Sequence, residues 1–148
     1  MNFDDALAAQ ELLRGFSLVT DVRESRWLSE LNGSDVRLKC ENLQRTGSFK
    51  VRGAYTRIAR LSAEERARGV VAASAGNHAQ GVALAAGRPG IDATIFMPEG
   101  AALPKVQATL GYGAEVILSG LDVSEALEAA KEHARATNAV FIHPYDHA

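Results

Sequence analysis

The feature that most constrains the fold is a regular alternation of short apolar runs with longer segments of helical periodicity. Strand-like runs are predicted at 36–40, 70–73, 93–97, 115–118 and 139–143. The segments between them that have helical periodicity are 48–61, 77–87, 103–110 and 122–136. Because short links join the strands and helices, this order predicts right-handed βαβ units. We therefore expect an α/β fold with a parallel sheet flanked by helices, in an open three-layer α/β/α arrangement.

Outside this alternation the sequence is less regular. A helix is predicted at 3–16, limited by Gly15, and a short helix at 25–31, with a loop at Asn32 and Gly33. Ser62 and Glu65 have the spacing of a helix capping box. A length of 148 residues is ordinary for a single domain.

Charge and composition exclude several classes of function. Sixteen basic and 18 acidic residues give a net charge of −2, which argues against nucleic-acid and membrane-surface binding. No apolar run approaches the roughly 20 residues that a membrane span needs, and the acidic N-terminus does not resemble a signal peptide. The one cysteine, Cys40, cannot form an internal disulfide and is expected to be buried. A cytoplasmic location is predicted, and no metal-ligand spacing is present.

The stretch SAGNHAQG at 74–81 follows a predicted strand and opens a helix. Ligands of parallel α/β sheets bind where strands end and helices begin, and a helix N-terminus attracts carboxylates and phosphates. Ala75 and Gly76 allow close approach to the backbone, while Ser74 and Asn77 offer polar groups. The alternative is an ordinary helix start with Ser74 or Asn77 as N-cap, in which His78 is an ordinary helix residue.

The stretch TGSFK at 46–50 also precedes a helix. Gly47 permits an unusual backbone angle, and Thr46 or Ser48 can cap the helix. Lys50 then lies in the first turn, where a cation is unfavourable by roughly 0.3–1 kcal/mol. This placement favours a neutral amine, the form that a nucleophilic lysine needs. The alternative is a solvated surface lysine. The spacing of a phosphate-binding P-loop is absent.

Three stretches carry a resemblance to a known family: LKCENLQRTGSFKVRGA, GVVAASAGNHAQGVALAA and FIHPYDH. They resemble the threonine dehydratase (threonine ammonia-lyase) family of pyridoxal-phosphate enzymes, which have the tryptophan-synthase β-like fold, fold type II. The resemblance covers about 20–147. It implies that Lys50 forms a Schiff base with pyridoxal 5′-phosphate, that Phe49 packs against this cofactor and that Asn77 bonds its 3′-oxygen. It also implies that Ser74, Ala75, Gly76, Asn77 and His78 hold the substrate α-carboxylate.

The reaction implied by the resemblance is β-elimination, in which Lys50 removes the α-proton. Threonine would give 2-oxobutanoate and ammonia, and serine would give pyruvate. Serine racemases of this fold carry a second serine where this chain has Ala75, so dehydration is favoured over racemisation. The resemblance leaves open whether the role is isoleucine biosynthesis or catabolism. Alternatives are another fold-type-II enzyme, including a serine racemase, and a non-catalytic module that binds carboxylates.

The resemblance also sets an expectation about extent. The family's glycine-rich phosphate loop should follow Asp146, so the chain is predicted to be an N-terminal portion, incomplete at its C-terminal side and weakly active or inactive alone. We expect residues 1–60 to carry the Schiff-base lysine, 61–138 to form a smaller α/β domain and 139–148 to re-enter a larger domain. Within 139–148, His143 and Asp146 are expected to be structural. The complete protein is expected to be a homo-oligomer acting on a small amino acid.

Overall fold

The computed structural model describes residues 2–145. The helices of this part are α1 (Phe3–Leu13), α2 (Arg26–Asn32), α3 (Lys50–Ala59), α4 (Ala63–Ala67), α5 (Asn77–Gly87), α6 (Leu103–Gly111) and α7 (Val123–Thr137). The strands are β1 (Val22–Glu24), β2 (Arg37–Lys39), β3 (Val70–Ala73), β4 (Ala93–Met97), β5 (Glu115–Leu118) and β6 (Val140–Phe141). Two 3-10 turns, Glu41–Leu43 and Arg45–Gly47, connect β2 to α3.

The main sheet is parallel and has the strand order β5-β4-β3-β6. In its register Val70 lies opposite both Ala93 of β4 and Val140 of β6. All four residues of β3 are buried, as expected for a strand with neighbours on both sides and helices on both faces. The predicted parallel α/β architecture is therefore confirmed.

Successive residues of β3 point to opposite faces of the sheet, and each face has its own core. Val70 and Ala72 pack into the larger core with residues of α3 and α5. Val71 and Ala73 pack with Ala126 and other small residues of α7. Because strand side chains alternate with a period of two, a short run of apolar residues serves both cores. This alternation produces the predicted three layers.

The predicted strand at 36–40 exists, but it does not belong to the main sheet. It is β2, and it pairs antiparallel with β1, with Val22 opposite Lys39. Strand β1 was not predicted, because all three of its residues are exposed and the segment has no alternation of apolar and polar residues. Cys40 is partly exposed rather than buried, and its Sγ lies 3.7 Å from the carbonyl of Leu38.

The helix boundaries follow local chemistry. Helix α1 ends at Leu13, before Gly15 with its φ of 73°, and is shorter than predicted. The Ser62–Glu65 capping box is present in both directions, and Asp122 caps α7 through the amides of Ser124 and Glu125. Among the described residues, no helix combines the length and the apolar character needed to cross a membrane.

Candidate active site

The segment that carries Lys50 has an unusual backbone. Thr46 and Gly47 have φ angles of 64° and 68°, the left-handed region that costs a residue with a Cβ roughly 1–2 kcal/mol. Thr46 and Gly47 are the last two residues of the second 3-10 turn. Helix α3 begins shortly after them, and Lys50 is its first residue. Ser48 Oγ accepts a bond of 3.3 Å from the Lys50 amide, but the N-cap of α3 is Phe49, which makes no side-chain capping bond, so neither Thr46 nor Ser48 caps this helix as predicted. Thr46 Oγ1 is buried and has no partner in the described part of the chain.

Polar side chains attach this segment to residues 16–20. Gln44 is buried; its amide donates to the Leu18 carbonyl at 2.9 Å and accepts from the Leu18 amide at 2.9 Å. Arg45 Nε donates to the Phe16 carbonyl at 2.6 Å. Because these bonds join segments about 26 residues apart in sequence, they fix a loop that would otherwise be held only by its ends.

An ion pair strengthens the same connection from within α3. Arg52 donates to both oxygens of Glu41 at 2.8 Å, and its Nη1 donates to Ser17 Oγ at 3.1 Å. Hydrogen bonding from Arg52 is the main reason that the pKa of Glu41 falls from 4.5 to about 2; burial opposes the change, and the Thr20 hydroxyl reinforces it. Bonding to Glu41 likewise raises the pKa of Arg52. The turn before Lys50 and the helix after it are thus held to each other.

Helix α5 packs closely against the start of α3, and a glycine makes this possible. A Cβ at Gly81 would lie 3.2 Å from the amide nitrogen of Val51 and 3.3 Å from the carbonyl carbon of Lys50. Both contacts are to backbone atoms, which cannot rotate away. Gly81 therefore allows the two helices to approach until Lys50 lies beside the beginning of α5.

Lys50 lines two cavities, of about 600 and 300 Å³. Its Nζ donates to the Pro144 carbonyl at 2.9 Å and lies 4.8 Å from the ring centre of Tyr145 and 5.7 Å from that of Phe49. No carboxylate within residues 2–145 pairs with this amine. Among the described residues, the amine is held by one carbonyl and two ring faces. These contacts are easier to break than an ion pair with a carboxylate, so the amine can move to a reacting group.

The smaller cavity brings the two predicted turns together. Lys50 and Ser74, Asn77 and His78 all line it. Phe49 lines only the larger cavity, where Lys50 and His78 are again present. Ala75 and Gly76 lie within the turn and line neither cavity.

The beginning of α5 differs from the predicted capped start. The N-cap is Gly76, which makes no side-chain capping bond, so neither Ser74 nor Asn77 caps the helix. Ser74 Oγ accepts instead from the Gly76 amide at 3.1 Å, which shapes the turn itself. Asn77 is exposed, and its Oδ1 accepts from Lys105 Nζ at 3.2 Å.

The last described residues complete the cavity walls. His78 is buried, with Nε2 3.1 Å from the Ile142 carbonyl, so this nitrogen carries the proton in that contact. His143 accepts from the Tyr145 amide at 3.1 Å through Nδ1, and both line the two cavities. The sequence offered no signal for a site role of Tyr145. Asp146 and His147 lie outside the described residues.

Comparison with known proteins identifies the family. Residues 14–148 match the family model of pyridoxal-phosphate dependent enzymes. The chain is 54% identical to the L-threonine ammonia-lyase of Thermotoga maritima over 146 residues, which are 99% of this chain and 36% of that protein. It is 43% identical to the catabolic L-threonine dehydratase TdcB of Escherichia coli K12, covering 97% of this chain and 44% of that one.

The fold agrees with these matches. The structure of maize serine racemase superimposes with a TM-score of 0.91 at 36% identity, over 98% of this chain and 44% of that chain. The chain thus spans between about a third and a half of the length of the relatives it matches. Two observations agree in one assignment. Lys50 lines a cavity together with the turn before α5, and the family model matches nearly all the described residues. This chain belongs to the family of pyridoxal-phosphate dependent enzymes.

Proposed function

We propose that the protein containing this chain converts L-threonine to 2-oxobutanoate and ammonia, with L-serine as a second substrate, in a pyridoxal-phosphate-dependent β-elimination. The β-hydroxyl leaves as water, and hydrolysis of the eliminated product then releases ammonia. The single observation that carries the proposal is the position of Lys50 Nζ. Lys50 lines two cavities, the smaller one together with Ser74 and Asn77, and its Nζ donates to the Pro144 carbonyl with no carboxylate partner in the described region. Because the chain spans 36–44% of the length of its curated relatives, this activity is proposed for the whole protein.

The residues that surround Lys50 fit the cofactor. Cavities of about 300 and 600 Å³ are within the range of small-molecule sites. Phe49 and Tyr145 supply ring faces beside the amine, and Asn77 supplies an amide that suits a phenolic oxygen. We assign covalent attachment to Lys50, packing to Phe49 and the ring 3′-oxygen to Asn77. When bound, pyridoxal phosphate supplies an electron sink for negative charge at the substrate α-carbon.

The chain's own residues carry out the other functions. The turn formed by Ser74, Ala75, Gly76, Asn77 and His78 binds the substrate carboxylate through the amides at the start of α5, since a helix N-terminus favours an anion. The Lys50 amine would take the α-proton of the substrate on Nζ. The Ser48 hydroxyl and the Arg52–Glu41 pair hold the backbone of Lys50 while its side chain moves.

Racemisation of serine is a second candidate, because the solved structure of maize serine racemase matches with a TM-score of 0.91. Ala75 argues against it, since a methyl group has no proton to exchange on the second face of a substrate. Residue 75 therefore favours elimination. Conversion of L-serine to D-serine by the wild-type protein, faster than to pyruvate, would reverse this preference.

The wider role is proposed on the same basis. The relative named a catabolic dehydratase favours threonine degradation over the isoleucine biosynthesis that the resemblance also allows. A cytoplasmic location and a homo-oligomeric complete protein stay predictions. So does the division into residues 1–60, 61–138 and 139–148.

The attachment is tested by adding pyridoxal phosphate to the whole protein that contains this chain, reducing with borohydride and mapping peptides by mass spectrometry. We expect a pyridoxyl group on Lys50 that disappears in K50A and persists in K131A, because Lys131 lies on α7 in an exposed pair with Glu128. Modification of Lys105 and Lys131 to the same extent as Lys50 would contradict a dedicated site. It would leave the non-catalytic carboxylate-binding module as the better explanation.

The reaction is tested by following 2-oxobutanoate from L-threonine in the cofactor-loaded protein, with K50A as the blank. Wild-type turnover that K50A retains would refute the role of Lys50 even if the adduct forms.

A further inference from the structure

Lys105 is a second lysine in a position that does not favour helix stability. It is the third residue of α6, after Leu103 and Pro104, where the helix dipole disfavours a cation by roughly 0.3–1 kcal/mol. No acidic residue lies in that first turn, and Lys105 forms no ion pair with any of residues 2–145. Its side chain is partly buried. No interaction within the first turn of α6 therefore compensates for the unfavourable position of the Lys105 charge.

The contact that Lys105 does make is with Asn77. Nζ donates to Asn77 Oδ1 at 3.2 Å, across 28 residues of sequence. An ammonium group has only donors, whereas an amide has one donor end and one acceptor end. The charge of Lys105 consequently dictates which end of the Asn77 amide faces it. The oxygen must turn toward Lys105 and the NH₂ group away from it.

The NH₂ end of the Asn77 amide is available to donate a hydrogen bond. Asn77 Nδ2 has no hydrogen-bond partner within the described part of the chain, and Asn77 lines the smaller cavity with Lys50. A phenolic oxygen carrying negative charge accepts hydrogen bonds and does not donate them. Only one of the two amide orientations can therefore serve it, and Lys105 selects that orientation.

We propose that Lys105 is a positioning residue, which fixes the Asn77 amide so that Nδ2 is the group offered to a ligand in the smaller cavity. The proposal rests on the proposed function only for the identity of the acceptor. The fixed amide orientation is a property of the chain itself.

Substitutions at position 105 separate the effect of the Lys105 charge from the effect of its side-chain size. K105R retains a donor-only cation and should behave as the wild type. K105M keeps the length but lets the amide turn, and K105E offers an acceptor that attracts Nδ2 and so reverses the amide. K131M, in which a partly exposed lysine of α7 is changed in the same way, is the matched control.

The first readout needs no cofactor. The side-chain ¹⁵N resonance of Asn77, assigned by its loss in N77D, should be unchanged in K105R and K131M and should shift in K105M and K105E. An Asn77 resonance that is the same in all four variants would overturn the proposal. Circular dichroism of each variant establishes that the chain is folded, and the opposite charges of K105R and K105E keep the comparison decisive if K105M unfolds.

The second readout is the concentration of pyridoxal phosphate that gives half-maximal borohydride-trapped adduct at Lys50. We expect about a five- to tenfold increase for K105M, the effect of one hydrogen bond, and a larger increase for K105E. Equal values for the wild type, K105M and K105E would overturn the proposal while the proposed function stands. Failure of the wild type to form the adduct would refute the proposed function, and the Asn77 resonance would still decide the role of Lys105.

Discussion

Replacing Glu41 by glutamine removes the charge from the carboxylate that fixes the segment carrying Lys50. In the wild type, Glu41 accepts from Arg52 Nε and Nη2 at 2.8 Å and from Thr20 Oγ1 at 2.7 Å. Glutamine has nearly the same shape, but its NH₂ group would face a guanidinium that can only donate. The variant therefore loses one hydrogen bond and leaves the Arg52 cation without its counter-ion.

The magnitude follows from the pKa of Glu41. Its decrease from 4.5 to about 2 corresponds to at most about 3.4 kcal/mol, because one pKa unit is worth about 1.36 kcal/mol. The side chains of Arg52 and Glu41 are 31% and 18% exposed, so water screens part of this interaction. We expect E41Q to lose about 1–2 kcal/mol of unfolding free energy at pH 7.

The sign of the pH dependence is fixed by the direction of the pKa change. The pKa of Glu41 is lower in the folded state than in the unfolded state, so its contribution is complete above the unfolded value near 4.5 and disappears as the pH falls toward about 2. At pH 3 less than about half of the contribution should remain. The difference between wild type and E41Q should therefore shrink as the solution is acidified.

Urea unfolding followed by circular dichroism at pH 7, 5 and 3 measures this difference directly. The matched control is E11Q, because Glu11 pairs with Arg14 at 2.7 Å but the two side chains are 66% and 75% exposed. That exposed pair should contribute below about 0.5 kcal/mol. A destabilisation of E41Q that is no larger than that of E11Q, or that does not change between pH 7 and pH 3, would refute the reasoning.

Three further predictions use the same urea assay. G81A should lower the unfolding free energy by about 1–2 kcal/mol, because the added Cβ would meet backbone atoms. G53A should raise it by about 0.5–1 kcal/mol, because the Cβ added there has open space around it. Equal effects at the two helical glycines would contradict the close approach of α5. T46G should raise the unfolding free energy by about 0.5–1 kcal/mol, because it replaces a threonine in the left-handed region whose buried hydroxyl has no partner among the described residues. A lower unfolding free energy would mean that the hydroxyl has a partner. S62A should lose about 1 kcal/mol of unfolding free energy, because it removes the Ser62 hydroxyl from the capping box. An unchanged unfolding free energy would show that α4 does not need this cap.

The elements of the main sheet could be predicted closely because each has a strong local signal. The bounds of β3, α5, β4 and β5 agree with the sequence prediction residue for residue. In these segments the apolar period, the glycines and the prolines agree with one another, and burial in the sheet then requires the same pattern. The match of Lys50 and 74–81 to family motifs also needed only the sequence.

The antiparallel pair of β1 and β2 could not be predicted in the same way. Its residues are exposed on both strands, so no hydrophobic alternation distinguishes β1 from a loop. The pairing is made by backbone hydrogen bonds, which are the same for every residue type and leave no mark in the sequence. The strand at 36–40 was consequently placed in the wrong sheet.

The layered α/β fold, the family and the residues of the two turns could all be inferred from the sequence, because periodicity and motif chemistry are local properties. The way in which those turns meet depends on the packing of the folded chain. The tertiary structure brings Lys50 to Ser74 and Asn77 through the close packing at Gly81, adds Tyr145 to the cavity walls, and turns the Asn77 amide toward Lys105. These contacts join residues that are dozens of positions apart, and their geometry depends on how helices pack on the sheet. No short window of sequence contains that information.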